Sequence, residues 1–180
     1  FGRFKDERGY FTEPYRSSDL DEDPRTDFLH DVKFLQQNES YSTAGVIRGL
    51  HFQWTPHMGK FVRTIRGRMV DMVMDIRKGS PTLGHIIAYA LPDSLDADYS
   101  EWIWVPPGFA HGNYFTVDST IEYFFTAEYS PTTESGISPL APDIDWSQCD
   151  SSLKAEFDLI VQHSANMSEK DRDGQSLADW

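Results

Sequence analysis

Short apolar or alternating runs, separated by Gly, Pro, Asn and Ser, dominate the chain. They predict strands over 10–15, 32–41, 46–53, 60–66, 69–77, 84–91, 101–105, 112–116 and 120–129. Turn signals fall between them at Arg66-Gly67, Gly79-Ser80-Pro81, Pro106-Pro107-Gly108 and Val117-Asp118-Ser119. Many short strands at regular spacing predict an all-β sandwich or barrel rather than alternating β/α units. Helical spacing emerges only late, over 151–163, where Leu153, Phe157 and Ile160 recur on one face after a Ser start. A further helical turn is expected over 168–171 and a short one within 19–27. There is no internal repeat or interdomain linker, so one domain over 1–180 is expected.

Alternation is clearest at 69–76. Val70, Met72, Met74 and Ile76 share one face, and Asp71, Val73 and Asp75 share the other. Two acids on the inner side of a sheet must meet water or a polar lumen, which a ligand-holding barrel supplies. The run Gly45-Val46-Ile47-Arg48-Gly49-Leu50-His51-Phe52-Gln53 raises the same question more sharply. It has the apolar character of a buried strand yet carries Arg48, His51 and Gln53. An unpaired buried polar group costs roughly 1–3 kcal/mol. In an extended chain His51 and Gln53 share a face, opposite Phe52, and Gly45 and Gly49 allow close approach of backbone or ligand.

Composition supports a folded chain: 39% of residues are hydrophobic, 25% charged and 14% aromatic. The formal net charge of −13 excludes the basic face of a general nucleic-acid or membrane-surface binder. The charge is uneven. Residues 48–78 hold seven basic residues against two acids, and residues 141–180 hold nine acids against three basic residues. A cationic middle in an acidic protein suits a small anionic ligand, and equally a solvated strand face. The single cysteine, Cys149, permits no internal disulfide and no Cys-x-x-Cys metal set, which points to a reducing, cytoplasmic compartment. No apolar run approaches the ~20 residues of a membrane span, and no signal-peptide pattern is present. The chain starts at Phe1 rather than Met, so residues preceding Phe1 are expected.

Several polar groups are candidates for chemistry. Lys60 opens a predicted strand and could stabilise negative charge on a substrate oxygen. His111 re-enters a strand after the Pro106-Pro107-Gly108 turn, and Tyr123 and Tyr129 are an even number of residues apart. Each could equally be an ordinary packed or strand-edge residue. A metal site is one alternative, because cupin-type barrels use His-x-His, a carboxylate and a later His. Here the strand has His51-Phe52-Gln53, so the usual facial set lacks its second histidine.

Eight motifs in order give the pattern an identity. They are Phe4-x-Asp6-x-Arg8-Gly9-x-Phe11, Gln36-x-Asn38-x-Ser40-x-Ser42, the 45–53 run, Gly59-Lys60-x-Val62-Arg63, Asp75-x-Arg77-x-x-Ser80-Pro81-Thr82-x-Gly84, the 104–112 segment, Tyr129-x-Pro131 followed by Glu134-x-Gly136-Ile137, and Ser168-x-Lys170-Asp171. Together they resemble the dTDP-4-dehydrorhamnose 3,5-epimerase family over nearly the whole chain. The resemblance implies a cupin-like jelly-roll β-barrel with short C-terminal helices, working with no metal and no cofactor. It implies a dTDP-linked 4-keto-6-deoxy sugar as substrate, inverted at C3 and C5 or, alternatively, at one of them. His51 would be the base, Asp171 its orienting partner, Lys60 the support for the enolate oxygen and Tyr123 the acid on the opposite face. Arg8, Phe11, Glu13, Gln36, Asn38, Arg48 and Tyr129 would bind the nucleotide, with Phe11 and Tyr129 sandwiching thymine and Arg48 suited to the diphosphate. His111 would line the sugar pocket. Arg8 and Phe11 would sit on a strand crossing to the partner of a homodimer. Three departures stand out: 54–59 is about two residues shorter than usual, 146–168 is longer, and Met167 replaces the usual Leu. Asp171 therefore rests on the Ser-x-Lys-Asp match. A metal-dependent cupin enzyme and a non-catalytic sugar-binding jelly roll are the remaining alternatives.

Overall fold

The computed structural model describes residues 1–93, 97–163 and 165–180. Two antiparallel sheets face each other across the interior. The first contains β3 (Gln36–Ser42), β5 (Lys60–Arg66), β8 (Ile103–Val105) and β10 (Ser119–Phe125), in the order β3-β10-β5-β8. The second contains β4 (Ile47–Gln53), β6 (Arg68–Asp75), β7 (Ile86–Pro92), β9 (Phe109–Phe115) and β11 (Glu134–Gly136), in the order β11-β4-β9-β6-β7. A separate hairpin, β1 (Arg3–Asp6) with β2 (Gly9–Thr12), pairs only with itself as a sheet. This is the expected all-β architecture, a cupin-like jelly roll.

The strand periodicity explains the layers. On β6 the outer positions Val70, Met72 and Met74 are fully buried beneath the C-terminal segment, where Phe157, Met167, Leu177 and Trp180 pack on them. The inner positions of the two sheets meet through Val62, Met69, Phe115 and Ile121. On β5 and β10, Phe61 and Phe124 point the other way, into an aromatic layer with Phe34, Trp102 and Trp104. Most strands of the two sheets are therefore covered outside and carry few polar residues; the edge strand β3, with alternate positions exposed, is the exception. The two inner-face acids of β6 part company. Asp71 enters the lumen, whereas Asp75 is taken up at the strand end by Arg77, Ser80 and Thr82.

The helical signals materialise as α1 (Ser17–Glu22), a 3-10 helix (Pro24–Leu29), α2 (Ser151–Gln162) and α3 (Glu169–Arg172). Asp150 caps α2 by accepting from the Ser152 and Leu153 amides, one residue before the expected Ser start. Ser168 caps α3 through the Asp171 amide. Boundaries shift elsewhere. The predicted strand 120–129 stops at Phe125, and Arg3–Asp6 and Glu134–Gly136 were not expected as strands. Both are short and polar, so neither carries an apolar run to announce it.

Candidate functional site

The lumen opens into a cavity of about 240 Å³ walled by β3, β5 and β10 on one side and β4, β9 and β11 on the other. It is smaller than the roughly 300–1,000 Å³ of a drug-sized ligand site, so a ligand of that size would extend beyond it.

Strand β4 forms one wall, and its ladder to β9 is interrupted between Arg48 and His51. Gly49 makes that possible. Its φ is +105°, and a side chain there would lie 2.5 Å from the Gly112 Cα and 2.7 Å from the His111 carbonyl. With the strand locally reset, Leu50 and Phe52 enter the outer core while His51 and Gln53 line the cavity. Gly136 of β11 lies flat against the imidazole; a Cβ there would sit 3.1 Å from His51 Cδ2.

His51 Nε2 lies 2.6 Å from Asp171 Oδ1, joining β4 to α3 across 120 residues of sequence. Burial would raise the Asp171 carboxyl. Hydrogen bonds from His51, Ser168 and the Gly49 backbone outweigh it and hold the carboxyl below its ordinary range. An ionised Asp171 fixes the Nε2–H tautomer and leaves Nδ1 as the acceptor of the His51 ring.

Lys60, 8% exposed, donates from Nζ to the His51 carbonyl at 3.1 Å. Burial lowers its pKa to about 8, against the opposing pull of Asp71 and Glu134. Next to it His111 Nε2 donates to Asp71 Oδ1 at 2.6 Å. Burial lowers the His111 pKa, and Asp71 opposes that, so the ring is neutral at pH 7. Tyr123 projects into the same cavity from β10, in the sheet facing His51, with Phe125 edge-on at 5.0 Å. No group of three or more His, Cys, Asp or Glu side chains placed to hold a metal ion occurs among the described residues.

At the mouth, Gln36 Nε2 donates to Asn38 Oδ1, and Gln36 Oε1 accepts from the Tyr129 amide. Tyr129 lies beyond the end of β10, so its link with Tyr123 is through the cavity rather than a shared strand face. Gln53 donates to the Pro56 and Glu128 carbonyls and accepts from the Ser130 amide. Its amide ties together the two loops at the rim. Arg48 lines the cavity, anchored to Ser42 Oγ at 2.9 Å and the Tyr41 carbonyl at 3.2 Å.

The structure thus gathers His51, Lys60, Tyr123, Asp171, Gln36, Asn38, Arg48, His111 and Tyr129 around one cavity. It does not bring Arg8, Phe11 or Glu13 there. Arg8 pairs with Asp6 in the hairpin turn, Phe11 is 63% exposed and stacks on Phe4, and Glu13 pairs with Arg16. Sequence reasoning did not assign Glu134, Ser40 and Asn113 to the site, though all three line the cavity. Glu134 binds Lys170 and belongs to the unforeseen strand β11. Ser40 was visible as the next alternate position after Gln36 and Asn38.

The model of the dTDP-4-dehydrorhamnose 3,5-epimerase family matches residues 2–179. A dTDP-4-dehydrorhamnose 3,5-epimerase of Methanothermobacter thermautotrophicus is 39% identical over 177 residues, spanning 97% of this chain and 85% of that protein. The crystal structure of a Legionella pneumophila dTDP-6-deoxy-D-glucose-3,5-epimerase in complex with dTDP-4-keto-L-rhamnose superposes with a TM-score of 0.77. It is 31% identical and covers 98% of this chain and 84% of its own. A 3'-monoepimerase of Streptomyces bikiniensis, solved with dTDP-quinovose, gives a TM-score of 0.76 at 25% identity, covering 98% of this chain and 80% of its own.

Proposed function

Because the chain belongs to the dTDP-4-dehydrorhamnose 3,5-epimerase family, we propose that its cavity inverts C3 and C5 of a 4-keto-6-deoxyhexose carried on dTDP, turning dTDP-4-dehydro-6-deoxy-D-glucose into dTDP-4-dehydro-L-rhamnose. The observation that carries the mechanism is the placement of His51 and Tyr123 on facing sheets of one cavity. Inversion needs removal of a proton on one face and return on the other; return on the same face restores the starting centre.

The C4 ketone acidifies the hydrogens on C3 and C5. His51 Nδ1 takes one of them, while Asp171 holds Nε2–H and stabilises the imidazolium that forms. Electrons from the broken C–H bond move onto the C4 oxygen. The Lys60 ammonium, fixed on the cavity wall, stabilises that oxyanion in a site largely screened from water. His111, neutral and held by Asp71, offers its remaining polar edge to the sugar. The Tyr123 hydroxyl then protonates the carbon from the opposite face.

Gln36, Asn38, Arg48 and Tyr129 lie where a nucleotide diphosphate would leave the enclosed part of the cavity. Arg48 suits phosphate oxygens and Tyr129 suits a thymine face. We assign Arg8, Phe11 and Glu13 to the site of a second copy, reached by the β1–β2 hairpin in a strand-exchanged homodimer. The exposure of Phe4 (68%) and Phe11 supports this, since a stacked aromatic pair facing solvent is a natural contact surface. A cytoplasmic location suits the lone cysteine. No helix among the described residues is long and apolar enough to cross a membrane.

Incubation with dTDP-4-keto-6-deoxyglucose in deuterated water should label both C3 and C5. Label at one carbon alone would make the protein a monoepimerase like the Streptomyces relative, and label at neither rejects the proposal. Replacing Tyr123→Phe should leave proton removal and exchange while impairing formation of the inverted product.

A further inference from the structure

We propose that Asn113 is a specificity-determining residue that accepts a hydrogen bond from the hydroxyl on C2 of the sugar, the carbon next to the one bearing the diphosphate. The inference rests on the epimerase reading above and deepens it.

Asn113 sits on β9 at 6% exposure and lines the cavity. Its Oδ1 is buried without a hydrogen-bond partner among the described residues. A folded chain keeps such an acceptor unsatisfied at a cost, and in a cavity wall the missing donor is one that a ligand supplies. Hydroxyl and amide groups are the donors a neutral oxygen acceptor selects.

Register places Asn113 at one end of this stretch of wall. Asn113 pairs across the ladder with Arg48, and His111 pairs with His51. One end of this stretch of wall therefore carries the phosphate-seeking guanidinium and the other the base. Ser40 belongs to the Arg48 end as well. It lies two positions before Ser42, the residue that accepts from Arg48, and its Oγ is a second buried polar atom without a partner. With the diphosphate on C1 held at Arg48 and C3 to C5 held at the His51 level, the sugar group in between is C2 and its hydroxyl. Asp71 Oδ2 is also without a partner among the described residues, but Asp71 lies behind His111 and does not line this cavity.

A site built around a substrate hydroxyl discriminates against the analogue that lacks it, because its own polar group is then left unpaired. The test compares solvent deuterium incorporation into dTDP-4-keto-6-deoxyglucose and its 2-deoxy analogue by the intact protein. The native protein should prefer the hydroxylated sugar in kcat/KM by roughly 10- to 100-fold. Asn113→Leu, which keeps the side-chain volume and removes the acceptor, should bring that ratio to about one, with a native-like thermal transition. Ser40→Ala is the second variant and should reduce the ratio less. An Asn113→Leu protein that is folded and retains the native ratio overturns the proposal, as does a native protein indifferent to the C2 hydroxyl. Absence of exchange with either sugar in the native protein would instead reject the epimerase reading itself.

Discussion

Two histidine–carboxylate pairs of the same length contribute their histidines to one cavity, and they differ in almost everything else. His51–Asp171 and His111–Asp71 both place Nε2 at 2.6 Å from Oδ1. The His51 side chain is 31% exposed, and its acid comes from a short helix near the C-terminus. The His111 side chain is 7% exposed, and its acid comes from the neighbouring strand β6. Hydrogen bonds hold Asp171 ionised, so His51 is oriented, supported when it becomes charged, and open to a ligand. Burial holds His111 neutral, so the second pair serves as a fixed dipole in the wall rather than a proton carrier. The same heavy-atom distance therefore comes with different exposure and different partners of the carboxylate, which is what the proposed division of roles rests on.

That contrast can be broken in order of expected effect. His51→Asn removes the proposed base and should lower deuterium exchange at both carbons by roughly 10²–10⁴-fold, the usual weight of a positioned base. Asp171→Asn comes next. An amide in place of the carboxylate can donate to Nε2 and turn the ring to the wrong tautomer, so a fall in kcat of roughly 10²-fold or more is expected with little change in KM. The same variant should also flatten the acid limb of unfolding. The folded carboxyl of Asp171 sits below its unfolded value, so its stabilisation is present above about pH 4 and is lost as pH falls through the folded pKa.

His111→Gln keeps a donor toward Asp71 and should cost about tenfold or less, without moving the pH profile, because one neutral donor to the carboxylate is replaced by another. Equal losses in His51→Asn and His111→Gln would erase the distinction between the pairs. The smallest expected effect is a basic limb in kcat/KM near pH 8. The Lys60 ammonium loses its proton as pH rises through about 8, since burial lowers its pKa, and activity should fall above that point. Lys60→Arg should have a lower maximum and no such limb, because a guanidinium stays charged.

Much of this was legible beforehand, and particular residues show why. The period-two run at 69–76 announced a strand with acids on its inner face, and Asp71 is buried there, bound to His111 at the cavity wall. Arg48, His51 and Gln53 were visible as polar residues in an apolar run, and each proves to have partners that an isolated strand could not supply. Glu134 was not legible as part of the site, because three residues of strand carry too little pattern to be seen. Asn113 was hidden for a different reason. A single amide in an apolar strand resembles any buried polar residue until its partners are counted.

By itself the sequence determined which residues alternate and which turns separate them, hence the strands, the β architecture and the face that His51 and Gln53 share. These are local consequences of period and propensity. Only the tertiary structure decided which acid meets which histidine, since Asp171 lies 120 positions from His51 and short polar segments have no pattern that states their contacts. It also decided which polar atoms remain without partners. Satisfaction of a hydrogen bond is a property of neighbours in space, and a chain read in one dimension does not contain them.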